Sequence, residues 1–97
     1  MVLEVALFDV VAGQEDAFAA AYLEARKQLE NADGSGAIRM SRGIETSTRF
    51  VLQVEWTSVE AHEAFRASDA FGVWRGLIGP YFATPPNVEH FTDVTES

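Results

Sequence analysis

The feature that most constrains this 97-residue sequence is its first segment, residues 2–11, which is apolar on both faces of a predicted strand. One face carries Leu3, Val5 and Leu7. The other carries Val2, Ala6, Phe8 and Val10 and is interrupted only by Glu4. Apolar residues on both faces are typical of a central strand in a sheet that is covered on both sides. The sequence therefore predicts a central strand with apolar partners above and below it.

A helix is predicted after the break at Ala12-Gly13, because acidic residues 15–16 suit a helix N-terminus and an apolar stripe follows. The stripe consists of Phe18, Tyr22, Ala25 and Leu29, at the spacing of a helix face. Turn-forming residues 31–36 end this helix near Asn31. A second strand is predicted from Ala37, with Ile38, Met40 and Ile44 on one face.

The second half repeats the pattern of strand, helix and strand. A hairpin connection leads to a strand that alternates most clearly, with Phe50, Leu52, Val54 and Trp56 on one face. Residues 57–60 read as a capping box with Thr57 as the cap, so a helix is predicted from about Ser58. Ser68 is predicted to cap a further short helix that ends at Gly79-Pro80, and Val88–Val94 to form the last strand.

The order β-α-β-β-α-β predicts an α+β, ferredoxin-like fold, with an antiparallel sheet and its helices on one face. Residues 1–97 are expected to form a single domain, since the length leaves no room for a second. The apolar first strand would expose a large patch on the uncovered sheet face, and a second sheet is the obvious cover. We therefore expect a homodimer in which two sheets pack together.

Composition excludes several classes of function. Fifteen acidic and seven basic residues give a formal charge of −8, and the bases are dispersed, so neither nucleic acid nor an anionic membrane is an expected partner. No apolar run approaches the ~20 residues that span a bilayer, and no secretion signal pattern is evident, so we expect the cytoplasm. The absence of cysteine removes disulfides, thiol nucleophiles and cysteine-ligated metals from consideration.

Two histidines are the candidate proton-transfer groups. His62 shares a predicted helical face with Phe65 and Arg66, so it could titrate beside an apolar cavity, or it could be a surface histidine without a task. His90 lies on the last strand, where a cross-strand hydrogen bond would also explain it. A site of two histidines and one carboxylate is conceivable, but His62-Glu63 lacks the second histidine of the zinc-binding H-E-x-x-H motif, and we predict no metal.

Aromatic residues gather in the second half of the chain and could line the pocket of a flat aromatic ligand. The alternative is core packing, which for Trp56 needs no ligand. Arg66 and Arg75 could bind an acidic substrate, although surface ion pairs with Glu63 or Asp69 would also account for them. The predicted substrate-binding residues are Phe65, Arg66, Phe71, Trp74, Tyr81, Phe82 and His90.

Residues 50–62, followed by Phe65, Ser68, Phe71 and Trp74, resemble the antibiotic biosynthesis monooxygenase family. The resemblance implies a dimeric α+β barrel with a cavity between each sheet and its own helices. It further implies oxidation of anthrones or quinols by O2, with neither metal nor organic cofactor. Trp56 stands at the position of an active-site tryptophan and His62 at that of a helix tyrosine, which makes both candidate catalytic residues.

The chain departs from the family pattern at Leu52, where anthrone oxidases of the family carry asparagine. The haem-degrading branch is a weaker match, because Phe8, Phe65 and Arg75 replace its asparagine, tryptophan and iron-ligating histidine. The leading hypothesis is a cofactor-independent monooxygenase of a small aromatic or polyketide-like compound, with His62 handling protons. A non-catalytic ligand-binding or stress-related dimer of the same fold is the alternative, and an oxygen-independent cyclase or isomerase is a third reading.

Overall fold

The structure is a computed structural model that describes residues 1–95, so the predicted domain boundary at residue 97 lies outside the described residues. The elements follow in the order β1 (Val2–Asp9), α1 (Glu15–Glu30), β2 (Ser35–Arg42), β3 (Arg49–Trp56), α2 (Val59–Arg66), α3 (Asp69–Ile78) and β4 (Asn87–Phe91). A 3₁₀ turn, Gly79–Tyr81, extends α3. No helix within residues 1–95 has the length and apolar character needed to cross a membrane.

The strands form one antiparallel sheet in the order β2-β3-β1-β4, which confirms the predicted α+β, ferredoxin-like fold. β1 is central, as its two apolar faces predict, and Ala6 lies between Leu52 of β3 and Val88 of β4. Its even-numbered residues face the helices and its odd-numbered residues face the other side, because side chains alternate along a strand. This alternation directs Glu4 towards the helices.

The core lies between one sheet face and the helices. The predicted stripe of α1 is buried throughout, and the four apolar residues of β3 are at most 4% exposed. These two sets meet the even-numbered residues of β1 and the inner side of α2 and α3 in one cluster: Ala6, Phe8, Val10, Phe18, Tyr22, Ala25, Leu29, Phe50, Leu52, Val54, Trp56, Phe65, Trp74 and Ile78. The periodicity of the sequence therefore identified the core correctly.

Several predicted boundaries were wrong. β1 ends at Asp9, and Val10 makes only an isolated bridge with Phe82. β4 ends at Phe91, so Val94 is 98% exposed instead of belonging to the strand. Ile44 is 91% exposed because the chain already turns at Gly43, whose amide donates to the carbonyl of Arg49 at 2.7 Å.

The cap of α2 lies one residue later than predicted. Ser58, not Thr57, is the N-cap, and its hydroxyl accepts a hydrogen bond from the amide of Ala61 at 3.1 Å. The Thr57 amide instead donates to the carbonyl of Gly34 at 2.9 Å, which ties the end of β3 to the turn before β2. Ser68 caps α3 as predicted, accepting from the amide of Phe71. The later cap fixes the start of α2, the helix that carries His62.

The sheet face opposite the helices combines apolar and charged side chains. Leu3, Val5 and Phe91 of neighbouring strands meet there, with Glu55 and Glu89 paired against them in the sheet register. Leu7 is 40% exposed and Phe91 48% exposed. This face is thus partly apolar and open in the single chain.

Candidate active site

A cavity of about 240 Å³ lies between the inner face of the sheet and the helices α2 and α3. Its walls come mainly from apolar side chains of β1, β3, β4, the two helices and the loop before β4. Of the residues predicted from the sequence, six line it: His62, Phe65, Arg66, Phe71, Trp74 and Phe82. The structure therefore gathers residues from both predicted helices of the second half around one space.

Three other predicted site residues lie outside the cavity lining. Trp56 is completely buried behind it, where its ring stacks on the imidazole of His62 at 4.9 Å between centroids. Tyr81 lies in the 3₁₀ turn, with its ring 6.3 Å from that of Phe18. His90 is half-buried on β4, and its ring lies 2.7 Å from that of His62, measured between Nε2 and Nδ1. None of these three residues lines the cavity itself.

Glu4 lines the cavity and was missed in the sequence analysis as a functional residue. It is 5% exposed, and its Oε1 accepts a hydrogen bond from Nε1 of Trp56 at 2.9 Å. Nε2 of His62 lies 3.3 Å from the same oxygen. The available signal was the single acidic residue on an otherwise apolar strand face, because a buried carboxylate is costly unless it has partners or a task.

His62 links Glu4 to His90. It is 4% exposed, so the alternative of a surface histidine is wrong. Its Nδ1 lies 2.7 Å from Nε2 of His90, and the register of the sheet places His90 directly opposite Glu4 on the neighbouring strand. The contact of His90 is therefore with α2 as well as with its own sheet. Glu4, His62 and His90 form a connected polar group, which we call the Glu-His-His group.

Burial dominates the electrostatics of this group. It raises the pKa of the Glu4 carboxyl, against the opposing effects of the Trp56 hydrogen bond and the positive charge of Arg66. Burial, together with smaller contributions from the nearby His90 and Arg66, lowers the pKa of His62 to about 4. His62 is consequently neutral near pH 7 and carries one ring proton. A carboxylate with a raised pKa is suited to accept a proton from a weakly acidic substrate.

A model of the antibiotic biosynthesis monooxygenase family matches residues 1–77. The chain belongs to this family. YczJ, an uncharacterised protein of Bacillus subtilis, is 33% identical over 95 residues, which are 97% of this chain and 100% of that protein. The alignment thus covers nearly the full length of both sequences.

Solved structures agree with the assignment to the antibiotic biosynthesis monooxygenases. A Bordetella bronchiseptica protein, described as a candidate antibiotic biosynthesis monooxygenase, is 37% identical, with a TM-score of 0.92 and 96% of each chain covered. SnoaB, a cofactor-independent oxygenase from Streptomyces nogalater, is 17% identical, with a TM-score of 0.84 and with 98% of this chain and 94% of that chain covered. The likeness to SnoaB shows the fold alone.

Two arginines lie at the rim of the cavity. Arg66 and Arg75 line the cavity, and neither takes part in an ion pair within the described part of the chain. The surface pairs with Glu63 or Asp69 considered above are therefore not formed. The guanidinium of Arg75 lies 5.9 Å from the ring centroid of Phe82, within the range of a cation–π contact. The rim is thus positive although the whole chain is acidic.

Oε1 of Glu4 and both ring nitrogens of His62 are directed at other polar atoms of the site. Across residues 1–95, no group of three or more His, Asp or Glu side chains is arranged to hold a metal ion. In the Glu-His-His group, each ring nitrogen of His62 already faces a partner atom. What the arrangement offers chemically is a proton acceptor in an aromatic cavity with a positive rim.

Proposed function

We propose that the protein is a cofactor-independent monooxygenase that oxidises a small hydroxy-aromatic compound with O2. The observation that carries the proposal is a buried carboxylate, Glu4, in a cavity lined by Phe65, Phe71 and Trp74. Family membership supports it, and the oxygenase SnoaB shares the fold. An aromatic wall binds the flat faces of such a substrate, and an apolar cavity protects reactive intermediates from water.

The reaction balances without an added reductant. Loss of the hydroxyl proton gives a phenolate, whose electron-rich ring carbon passes an electron to O2 and then joins the reduced oxygen as a peroxide. Cleavage of the O–O bond leaves one oxygen on the ring carbon as a carbonyl. The second oxygen leaves as water with the two hydrogens of the ring C–H and the hydroxyl group. The protein therefore needs a proton acceptor, a proton donor and a dry site.

The size of the cavity narrows the substrate class. Its volume of about 240 Å³ lies below the roughly 300–1,000 Å³ typical of sites for drug-sized ligands. We therefore propose a quinol or phenol of one or two rings in preference to a three-ring anthrone. The arginines at the rim, Arg66 and Arg75, favour a substrate with an acidic substituent, because a guanidinium binds a carboxylate well.

We propose a homodimer as the working form. The open sheet face carries Leu7 and Phe91, each at least 40% exposed, and a second copy would cover this surface. The expected result of light scattering on the purified protein is twice the chain mass. A monomeric mass at micromolar concentration would remove this part of the proposal and leave the cavity, which the chain forms from its own residues, unaffected.

Oxygen uptake tests the proposed function. Metal-stripped protein is mixed with one-ring and two-ring quinols, with and without a carboxylate group, and with an anthrone. We expect uptake with a quinol of one or two rings that is unaffected by added chelator. Tight binding of these compounds without uptake would instead support the ligand-binding alternative. Conversion without uptake, to a product of unchanged mass, would support the isomerase or cyclase.

A further inference from the structure

We propose that Glu4 is the proton acceptor of the cavity, and that Trp56, His62 and His90 are positioning residues that hold its carboxylate with one oxygen free for the substrate. The inference rests on the proposed function for its substrate class. The sequence alone suggested His62 as the residue that handles protons, whereas the structure favours Glu4 for this role. Its tests include measurements that need no oxygenation.

The two oxygens of Glu4 have different surroundings. Oε1 accepts from the indole of Trp56 and faces Nε2 of His62. Within residues 1–95, neither a side chain nor a backbone amide donates a hydrogen bond to Oε2, whereas every buried side-chain nitrogen or oxygen in that range has a partner. Oε2 is therefore accessible, and the accessible space beside Glu4 is the cavity. Oε1 is thus fixed by the protein, and Oε2 is the atom available to a substrate hydroxyl.

Because His62 is neutral, it carries one ring proton, and the groups facing its two nitrogens determine which of them holds it. Its Nε2 faces the carboxylate, where an N–H is favourable and a lone pair is repelled. Nδ1 must then accept, and the group 2.7 Å away is Nε2 of His90, which must donate. His90 therefore holds His62 in the tautomer that stabilises ionised Glu4. His90 thus orients His62 towards Glu4, much as one member of a catalytic triad orients the second towards the reacting residue.

The titratable and charged groups around Glu4 come from three elements, α2, α3 and β4. Arg66 and His62 lie on α2, His90 lies on β4, and Arg75 reaches the cavity rim from α3. Arg66 favours the ionised form of Glu4, but burial outweighs it and the carboxyl pKa stays raised. A raised carboxyl pKa lies closer to the pKa of a phenol. The smaller difference between the two pKa values reduces the free-energy cost of moving a proton from the phenol to Glu4.

The proposed step conserves protons. The substrate O–H bond breaks, its proton passes to Oε2 of Glu4, and its electron pair stays on the phenolate oxygen. When the peroxide O–O bond breaks later, the departing oxygen leaves as water with two protons, one returned by Glu4 and one from the ring C–H, whose electron pair forms the new C=O bond. Glu4 is thus ionised again at the end of the cycle. His62 changes neither its charge nor its tautomer during this cycle.

The tautomers are tested by nitrogen NMR of histidine-labelled protein near pH 7. We expect the proton of His62 on Nε2 in the wild-type protein. In His90→Leu, which lacks the donor, we expect a mixture of tautomers, whereas His90→Gln, whose amide can donate, should restore the wild-type form. A His62 proton on Nδ1 in the wild type, or an unchanged tautomer in His90→Leu, would overturn the role of His90.

Proton acceptance is tested without O2 by binding 4-nitrophenol, whose ionised form is identified by its absorbance. Below the pKa of the free probe, the wild type should bind it as phenolate and release no proton to a weak buffer, because Glu4 keeps the proton. Glu4→Gln should release one proton for each phenolate that it binds, and Glu63→Gln, which removes an exposed carboxylate from α2, should match the wild type. Equal proton release by wild type and Glu4→Gln would overturn the proposal, even if oxygen uptake is found. The predicted difference in proton release would support the proposal, even if no oxygen uptake is found.

Discussion

Glu4→Gln is expected to lower kcat for oxygen uptake by about 100-fold to 10,000-fold, the range that a general acid or base contributes. Substrate affinity should change by less than about threefold, because the amide keeps the shape of the side chain and removes an interaction needed in the transition state. The fold should persist, since the amide oxygen can still accept from Trp56 and burial already disfavours the charge. Steady-state kinetics and thermal unfolding measure these effects.

The pH profile identifies the group responsible. Because burial raises the pKa of Glu4 above its ordinary 4.5, kcat/KM in the wild type should fall with acidification through a value above 4.5. A profile controlled by His62 would instead fall near its pKa of about 4. Glu63→Gln is the matched control and should keep wild-type rates. Near-normal kcat in Glu4→Gln would show that another group accepts the proton.

Trp56→Ala is expected to lower the free energy of unfolding by about 3–5 kcal/mol, as for other large aromatic residues removed from a core. Trp56 is completely buried, stacks on His62 and donates to Glu4, so truncation opens a cavity and removes the indole's hydrogen bond to Oε1. Chemical denaturation measures the loss. Leu23→Ala, at a position 68% exposed, is the control and should change stability by no more than about 0.5 kcal/mol.

Trp56→Phe covers the case in which the alanine variant does not fold. The phenyl ring fills most of the space but cannot donate to Glu4, so we expect a loss of about 1–3 kcal/mol from the missing hydrogen bond to a buried carboxyl. A loss below about 0.5 kcal/mol in both variants would contradict the role of Trp56 as a support of the core and of Glu4.

Local periodicity predicted most of the fold. The stripe of α1 and the alternation of β3 are each set by residues close together in sequence, and both are buried as expected. Boundaries were less accurate, because ladder hydrogen bonds decide where a strand ends. β1 and β4 therefore end earlier than their apolar residues suggest. The cap of α2 shifted to Ser58 because Thr57 is held by the turn before β2.

The candidate site was only partly predictable. The apolar lining and His62 followed from helical spacing, since residues of one helix face come together locally. The role of Glu4 could not be predicted in this way. Its hydrogen-bond partner Trp56 is 52 residues away in sequence, and β4 brings His90 beside it from the other end of the chain. A single sequence shows Glu4 as an interruption of an apolar face. Its partners emerge only with the order and register of the strands.

The most direct test of the proposed monooxygenase is the reaction of the metal-stripped protein with labelled ¹⁸O2 and the quinol that supports the fastest uptake, followed by mass analysis. We expect one labelled oxygen in the product and the second in water, at a rate unaffected by chelator. A product without label, or label incorporation that requires an added metal or cofactor, would contradict a cofactor-independent monooxygenase.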